Sequence, residues 1–228
     1  MSPSNPPGVP VDAWWLYDQL PGAPEGGYDW SPAERTDSEF DNIDFHLDLG
    51  CGTRRKGRLG IDRFPAPGVG LVMDLDMLYP SMEPEENDPE KLAQLIPIQG
   101  RMPFASDSIE SIISHHCLEH IGEGFVRLMD ECHRVLVPGG IFRIIVPLFP
   151  SRTAVEDPDH RRYFMEGTLD VFCADANGKN PKLGDFSVPY TTCQFEMVDH
   201  DPSPPTMLSK QWGPDDAREL RVALQKRG

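Results

Sequence analysis

A chain of 228 residues is long enough to bury one core without disulfide or metal staples, so a single domain with decorations is the expectation. Its formal net charge of -16 argues against extended nucleic-acid binding, because many phosphate contacts need clustered Lys and Arg to displace counterions. Arg54-Arg55-Lys56 with Arg58 forms a local basic patch, but a small-molecule partner is the easier fit.

The 24 prolines are about twice the usual share and demand much loop. The five cysteines, Cys51, Cys117, Cys132, Cys173 and Cys193, are odd in number, lack C-x-x-C pairing and fall partly in apolar runs, where a reduced thiol acts as a small hydrophobe. That usage predicts a reducing, cytoplasmic setting. No stretch approaches about 18 uninterrupted apolar residues, and the opening MSPSNPPGVP has neither a basic nor an apolar leader region, so no membrane span or targeting segment is expected.

Residues 1–41 read as an N-terminal arm, rich in Pro, Ser and Gly over its first dozen residues; Trp14 and Trp15 within it either pin the arm to the core or form a lid over a pocket. From residue 42 to 228 the chain reads as one domain. Phe45, Leu47 and Leu49 alternate with His46 and Asp48, which is strand periodicity, and Gly50-Cys51-Gly52 ends it abruptly. A second strand is predicted over 59–62, after too few residues for more than a turn or two of helix, and a third over 69–74, after the turn Pro65-Ala66-Pro67-Gly68.

Residues 79–100 hold four prolines and five acidic residues and predict a solvated insertion. A fourth strand follows over 109–115. The next helix carries Phe125, Leu128, Met129, Cys132, Val135 and Leu136 at 3,4 spacing, with Arg127, Asp130, Glu131 and Arg134 facing away, and Pro138-Gly139-Gly140 stops it. Residues 141–146 predict a buried fifth strand. Beyond them the pattern gives a helix over 166–173, a strand pair within 186–200 and a helix over 214–225. Alternating strands and helices imply a mostly parallel sheet covered on both faces.

In such a sheet a ligand sits beyond the carboxyl ends of the strands, and the first loop must let its backbone approach closely. Asp48-Leu49-Gly50-Cys51-Gly52 supplies that loop, and Asp62, ending the second strand, is placed to accept hydrogen bonds from ribose hydroxyls. Position 55 is Arg, where a nicotinamide fingerprint would put its third glycine.

The segment from Phe45 to Thr53 resembles the glycine-rich first motif of class I S-adenosylmethionine-dependent methyltransferases. Met102-Pro103-Phe104-Ala105-Ser106-Asp107-Ser108-Ile109-Glu110 is similar to that family's L-P-F-x-D-x-S-F-D segment, and Cys117-Leu118-Glu119-His120-Ile121 to its V-L-E-H segment. The stretch from Glu131 to Gly140 matches E-x-x-R-V-L-x-P-G-G, and Asp157-Pro158-Asp159-His160 with Phe164 resembles the D-P-x-H-x-x-x-F element of the type 11-like subgroup whose first helix is almost absent.

The resemblance implies a Rossmann-like class I methyltransferase fold, a mostly parallel seven-stranded sheet with helices on both faces, with a substrate-side loop over 150–165 and S-adenosylmethionine as cofactor. It implies that Gly50, Cys51 and Gly52 face the methionine moiety through backbone, with Asp48 among the cofactor-binding residues, that Asp62 holds the ribose, that Asp74 or the Met102 region borders the adenine, and that His115 lies by the transferring methyl. The acceptor is expected to be a small molecule or a sugar.

Methyl transfer from a sulfonium is an in-line displacement, so the protein mainly supplies alignment, exclusion of water and in some cases a base. His120 and His160 are the candidate bases, since imidazole titrates near working pH; His120 alternatively scaffolds a helix start. Arg161 and Arg162 form either a clamp for an acidic acceptor or a solvated turn. The reading with no metal is preferred, although His116 and His120 stand at the i,i+4 spacing that a metal-dependent hydrolase would use. A non-catalytic cofactor- or nucleoside-binding protein of the same fold is the remaining class, and the intact Gly50, Gly52 and Asp62 argue against it.

Overall fold

The computed structural model describes residues 45–53, 55–80, 101–175, 179–180, 191–201 and 218–228. The arm with Trp14 and Trp15, Arg54, and the insertion from residue 81 to 100 lie outside them.

Eight strands form one sheet: β1 (Phe45–Leu49), β2 (Gly57–Asp62), β3 (Val69–Asp74), the two-residue β4 (Tyr79–Pro80), β5 (Ile109–His115), β6 (Leu136–Pro147), β7 (Phe195–Asp201) and β8 (Glu219–Lys226), in the order β4-β3-β2-β1-β5-β6-β8-β7. Apart from β4, seven strands make an open, mostly parallel, Rossmann-like sheet. The β3-β2-β1-β5-β6 run is parallel, while β8 pairs antiparallel with both β6 and β7.

Alternation fixes the register. Leu59, Leu47, Ile112, Phe142 and Leu224 stand in one row across five strands, all fully buried, and a one-residue slip of any strand would turn its member to the other face. On that face packs helix α1 (Phe125–Val135), whose Phe125, Leu128, Met129, Cys132 and Val135 join the same core. Each buried side chain of this kind contributes about 1.5–3 kcal/mol. A short α2 (Arg152–Val155) and 3-10 turns at Leu118–His120 and Thr168–Phe172 complete the described helical structure. No helix among the described residues is long and apolar enough to cross a membrane.

Four expectations change. The helix expected to run through Leu136 to a stop at Pro138-Gly139-Gly140 ends at Val135, and those residues lie inside the strand Leu136–Pro147 instead of before it. Residues 214–225 were expected to be helical, but Glu219–Lys226 is a strand. Leu220, Val222 and Leu224 bury at alternate positions, and pairing with β6 and β7 overrides local propensity. The helix expected over 166–173 is a single 3-10 turn. Glu131 does not face solvent: it is 6% exposed and forms a two-point pair with Arg134, Nε to Oε1 and Nη2 to Oε2 both at 2.7 Å. Of the strand pair sought within 186–200, β7 is described and residues 186–190 lie outside the described residues.

The chain turns from one side of the sheet to the other between β1 and β5, which makes their carboxyl ends the switch point. The connections leaving β1, β2, β3, β5 and β6 all emerge on this edge.

Candidate active site

Gly50 and Gly52 hold the left-handed backbone that an L side chain resists, with φ of +68° and +52°. The amides of Gly50 and Cys51 donate to the Ile61 carbonyl at 2.7 and 3.2 Å, folding the loop back over the end of β2. A Cβ on Gly50 would overlap the side chain of Cys117, whereas one on Gly52 would meet nothing among the described residues within 4 Å. The first glycine is therefore a packing requirement, and the second is crowded by no described residue.

Asp62 closes this loop from β2. Its Oδ2 accepts the Gly52 amide at 2.9 Å and its Oδ1 the Phe64 amide at 3.1 Å, so the carboxylate is aimed before any ligand arrives. Cys51 is buried, and burial together with Asp48 and Asp62 pushes its thiol up to about 12, which keeps it a neutral side chain beside the loop.

Asp48 supports the loop from beneath. It is 1% exposed and accepts the amides of Lys56 and Gly57, which lets β2 begin without an intervening helix. Burial pushes its carboxyl up to about 6 despite these donors. The folded state therefore binds the Asp48 proton more tightly than the unfolded chain does. That stabilisation is full below the ordinary carboxylate range and is lost as pH rises through about 6. Relative to Asp48→Asn, which cannot ionise, wild-type stability should fall by on the order of 1–2 kcal/mol between about pH 4.5 and about pH 7.5. Parallel urea titrations of the two proteins test this; a constant difference across that range would rule out a buried, titrating Asp48.

His115 ends β5 half-buried, its ring 4.7 Å from that of His116. Burial, then the neighbouring imidazole, pulls His115 down to about 3, so it is neutral at working pH. His116 has a left-handed φ of +53°, which turns its ring between two carboxylates: Nδ1 lies 3.2 Å from Glu119 Oε1 and Nε2 3.0 Å from Glu219 Oε1. Burial opposes its charge, but the two carboxylates prevail and lift it to about 9.

This geometry overturns the joint metal role considered for His116 and His120. The left-handed residue breaks the helix that i,i+4 spacing presumes, and the two imidazoles fall into different clusters, His115-His116-Glu219 and Glu119-His120-His160.

His120 and His160 are brought together. The amides of Arg161 and Arg162 both donate to the Glu119 carbonyl, at 2.7 and 3.2 Å, docking the loop after β6 onto the 3-10 turn after β5. The two imidazoles meet edge to face, 4.8 Å apart. Arg162 does not reach an acceptor: its guanidinium donates to the carbonyls of Ile121 and Gly122 at 2.9 and 2.5 Å and lies 4.0 Å over the Phe125 ring. Arg161 remains exposed beside Asp159.

Asp74, ending β3, accepts the amides of Asp76 and Met77 at 2.9 and 3.3 Å, which shapes the next loop. Asp76 in turn accepts the Gly124 amide at 2.6 Å, tying the β3 and β5 connections together. Met102 is buried in the core; its amide donates to Glu131 Oε2 at 2.7 Å and its carbonyl accepts Arg134 Nη2 at 3.1 Å. Glu119 and Glu219 had no assigned role in the sequence. Glu119 was legible as the acid of the L-E-H turn, while Glu219 was hidden by the helical reading of its segment.

Residues 47–144 match the family model described as methyltransferase domain. No curated protein matches the chain. Among solved structures, a Mesorhizobium loti S-adenosylmethionine-dependent methyltransferase is similar at 16% identity and TM-score 0.46, with 79% of this chain and 89% of that chain covered. A Burkholderia thailandensis 1,6-didemethyltoxoflavin-N1-methyltransferase is similar at 15% identity and TM-score 0.44, covering 80% and 70%. The Haloferax volcanii complex of the Trm112 methyltransferase activator with a methyltransferase gives 14% identity and TM-score 0.45, covering 82% and 85%. The matched residues 47–144 run from the glycine loop through the Leu118–His120 turn into β6.

Proposed function

We propose that the protein is an S-adenosylmethionine-dependent methyltransferase acting on a small-molecule or sugar acceptor. The observation that carries this reading is the loop at the switch point: two left-handed glycines, a Gly52 that no described residue crowds, and an Asp62 carboxylate held in place by backbone amides. These residues fit the cofactor. The backbone at Gly50 to Gly52 would take its methionine moiety, and Asp62, with lone pairs left on both oxygens, would take its ribose diol. Bound there, the cofactor supplies a methyl group on a sulfonium, a good leaving group that needs alignment more than activation.

The chain's own residues supply the rest. His115, neutral at the end of β5, adds no positive charge beside a sulfonium. The charged His116 is screened by Glu119 and Glu219 and holds the turn that carries His120. On the acceptor side, His120 and His160 present Nε2 lone pairs to an acceptor proton, and the exposed Tyr163, with Phe149 5.4 Å from it, offers apolar ring surface of the kind on which a sugar or heterocycle stacks.

Binding of S-adenosylhomocysteine to wild type and to Asp62→Ala, followed by titration calorimetry, tests the cofactor site. Two hydrogen bonds to a charged acceptor correspond to about a hundredfold loss of affinity in the variant. A folded wild type that binds neither S-adenosylmethionine nor S-adenosylhomocysteine would overturn the assignment and leave a non-catalytic protein of this fold.

A further inference from the structure

We propose that Glu119, His120 and His160 form a binding site for one divalent transition-metal ion, at the carboxyl edge of the sheet beside the glycine loop. One ring nitrogen of each histidine and one Glu119 oxygen lie within 4.8 Å of one another. Two imidazoles and a carboxylate suit zinc or a neighbouring first-row ion, not magnesium or calcium, and three protein ligands leave positions open for an outside oxygen donor.

The hydrogen bonds around the cluster set its chemistry. His160 Nδ1 lies 2.9 Å from the Ala154 carbonyl, and His120 Nδ1 3.3 Å from the Asp159 carbonyl. A carbonyl only accepts, so each Nδ1 must carry the proton, and Nε2 is the ring nitrogen left to offer a lone pair to a metal. A carbonyl holding the far N–H is the arrangement that orients metal-ligating histidines. Neither Nε2 has a hydrogen bond among the described residues; His160 Nε2 lies 3.9 Å from the Asp157 carboxylate.

Glu119 supplies the independent sign. The residue is 1% exposed, its Oε1 is taken by His116, and its Oε2 is buried with no hydrogen-bond partner among the described residues. An unpaired buried carboxylate oxygen costs free energy that a cation would offset. The other histidine cluster lacks this property, since both ring nitrogens of His116 are already spent on Glu119 and Glu219. Nor do the cysteines compete: all five are free thiols, and burial raises the pKa of each, so metal-binding thiolates are disfavoured.

The site is also pre-built. The Glu119 carbonyl is clamped by the Arg161 and Arg162 amides, and Arg162 ties the same loop to Ile121 and Gly122, so Glu119 and His120 on the turn are held against His160 on the loop. Ligand atoms around tetrahedral zinc stand about 3.3 Å apart at bond lengths of about 2.0–2.1 Å, so closing the triad takes side-chain movements of about 1 Å, not a rearrangement of the backbone. The inference deepens the methyltransferase reading by placing a Lewis acid for an acceptor hydroxyl or carboxylate oxygen where a free imidazole base would otherwise act, but the metal is measured without cofactor or acceptor.

The experiment titrates chelator-stripped full-length protein with Zn2+ by calorimetry and with Co2+ by visible absorption. The expected result is one equivalent bound with micromolar or tighter affinity, ligand-field bands of a four- or five-coordinate cobalt, and a metal-induced rise in melting temperature. His160→Gln and Glu119→Gln should each weaken binding at least tenfold and abolish that rise, while His200→Gln, on β7, leaves both unchanged. Unaltered circular dichroism of the metal-free variants shows that they fold. No binding to folded wild type, binding retained in His120→Gln/His160→Gln, or a thiolate-to-cobalt charge-transfer band would each overturn the proposal. Loss of metal binding with S-adenosylhomocysteine binding intact would remove the metal and keep the methyltransferase.

Discussion

Arg134→Met is expected to lower stability by about 3–5 kcal/mol, because it strands a buried carboxylate. Glu131 has 8% of its side chain exposed and Arg134 20%, and the two are joined by paired hydrogen bonds of 2.7 Å. The loss extends beyond the pair. Arg134 also donates to the carbonyls of Phe104 and Met102, at 2.8 and 3.1 Å, and Glu131 accepts the Met102 amide, so the two side chains of α1 hold the segment that leads into β5. Urea unfolding should show the midpoint falling with little change in slope. In Glu131→Gln/Arg134→Met the stranded charge is gone while an amide oxygen remains for Met102, so the double variant should be more stable than the sum of the single changes by about 1 kcal/mol or more. A single-variant loss under about 1 kcal/mol would mean that the pair is solvent-relaxed and that the E-x-x-R pattern serves something other than this clamp.

Ala at position 50 and Ala at position 52 should behave differently although both glycines have positive φ. At either position the left-handed backbone costs an L residue about 1–2 kcal/mol. At Gly50 the new methyl also overlaps the Cβ and Sγ of Cys117, so Gly50→Ala has to move the β1 loop or the start of the β5 connection. It should lose about 3 kcal/mol or more of stability together with S-adenosylhomocysteine binding, and Cys117→Gly should restore part of the stability. At Gly52 the methyl meets nothing among the described residues within 4 Å. Gly52→Ala should therefore fold with only the backbone cost, yet lose cofactor affinity by tenfold or more, because the methyl stands in the space assigned to the ligand. Thermal unfolding and calorimetry on the two variants separate the roles. Wild-type affinity in Gly52→Ala would move the cofactor off this loop.

Much of the frame was legible because several segments announce themselves locally. Residues 69–74 and 109–115 are β3 and β5 to the residue, each an apolar run bounded by turn chemistry, and the short link from β1 to β2 leaves no length for a helix. Glu219–Lys226 was not legible. Leu220, Ala223 and Leu224 satisfy helical spacing as well as Leu220, Val222 and Leu224 satisfy strand spacing, and only pairing with β6 decides between them. The site divides in the same way. Gly50, Gly52 and Asp62 are set by sequence-local geometry, whereas His116 depends on Glu219, 103 positions away, and the meeting of His120 with His160 depends on backbone hydrogen bonds that join two connections.

The place of β8 in the sheet has a consequence for biosynthesis. β8 follows β7 in sequence but stands between β6 and β7, so a nascent chain emerged only as far as residue 201 has a β7 joined to the rest by its bridge to Cys173 but not yet to the sheet. It also leaves the long apolar edge of β6 open, an invitation to pairing with another chain. Glu219 is the first residue of that late strand, and it is the carboxylate that meets His116 Nε2. On the ribosome, the glycine loop and the His120 turn would therefore exist before the fold that charges and orients His116 is complete, and closure of the sheet and assembly of its functional edge become the same event.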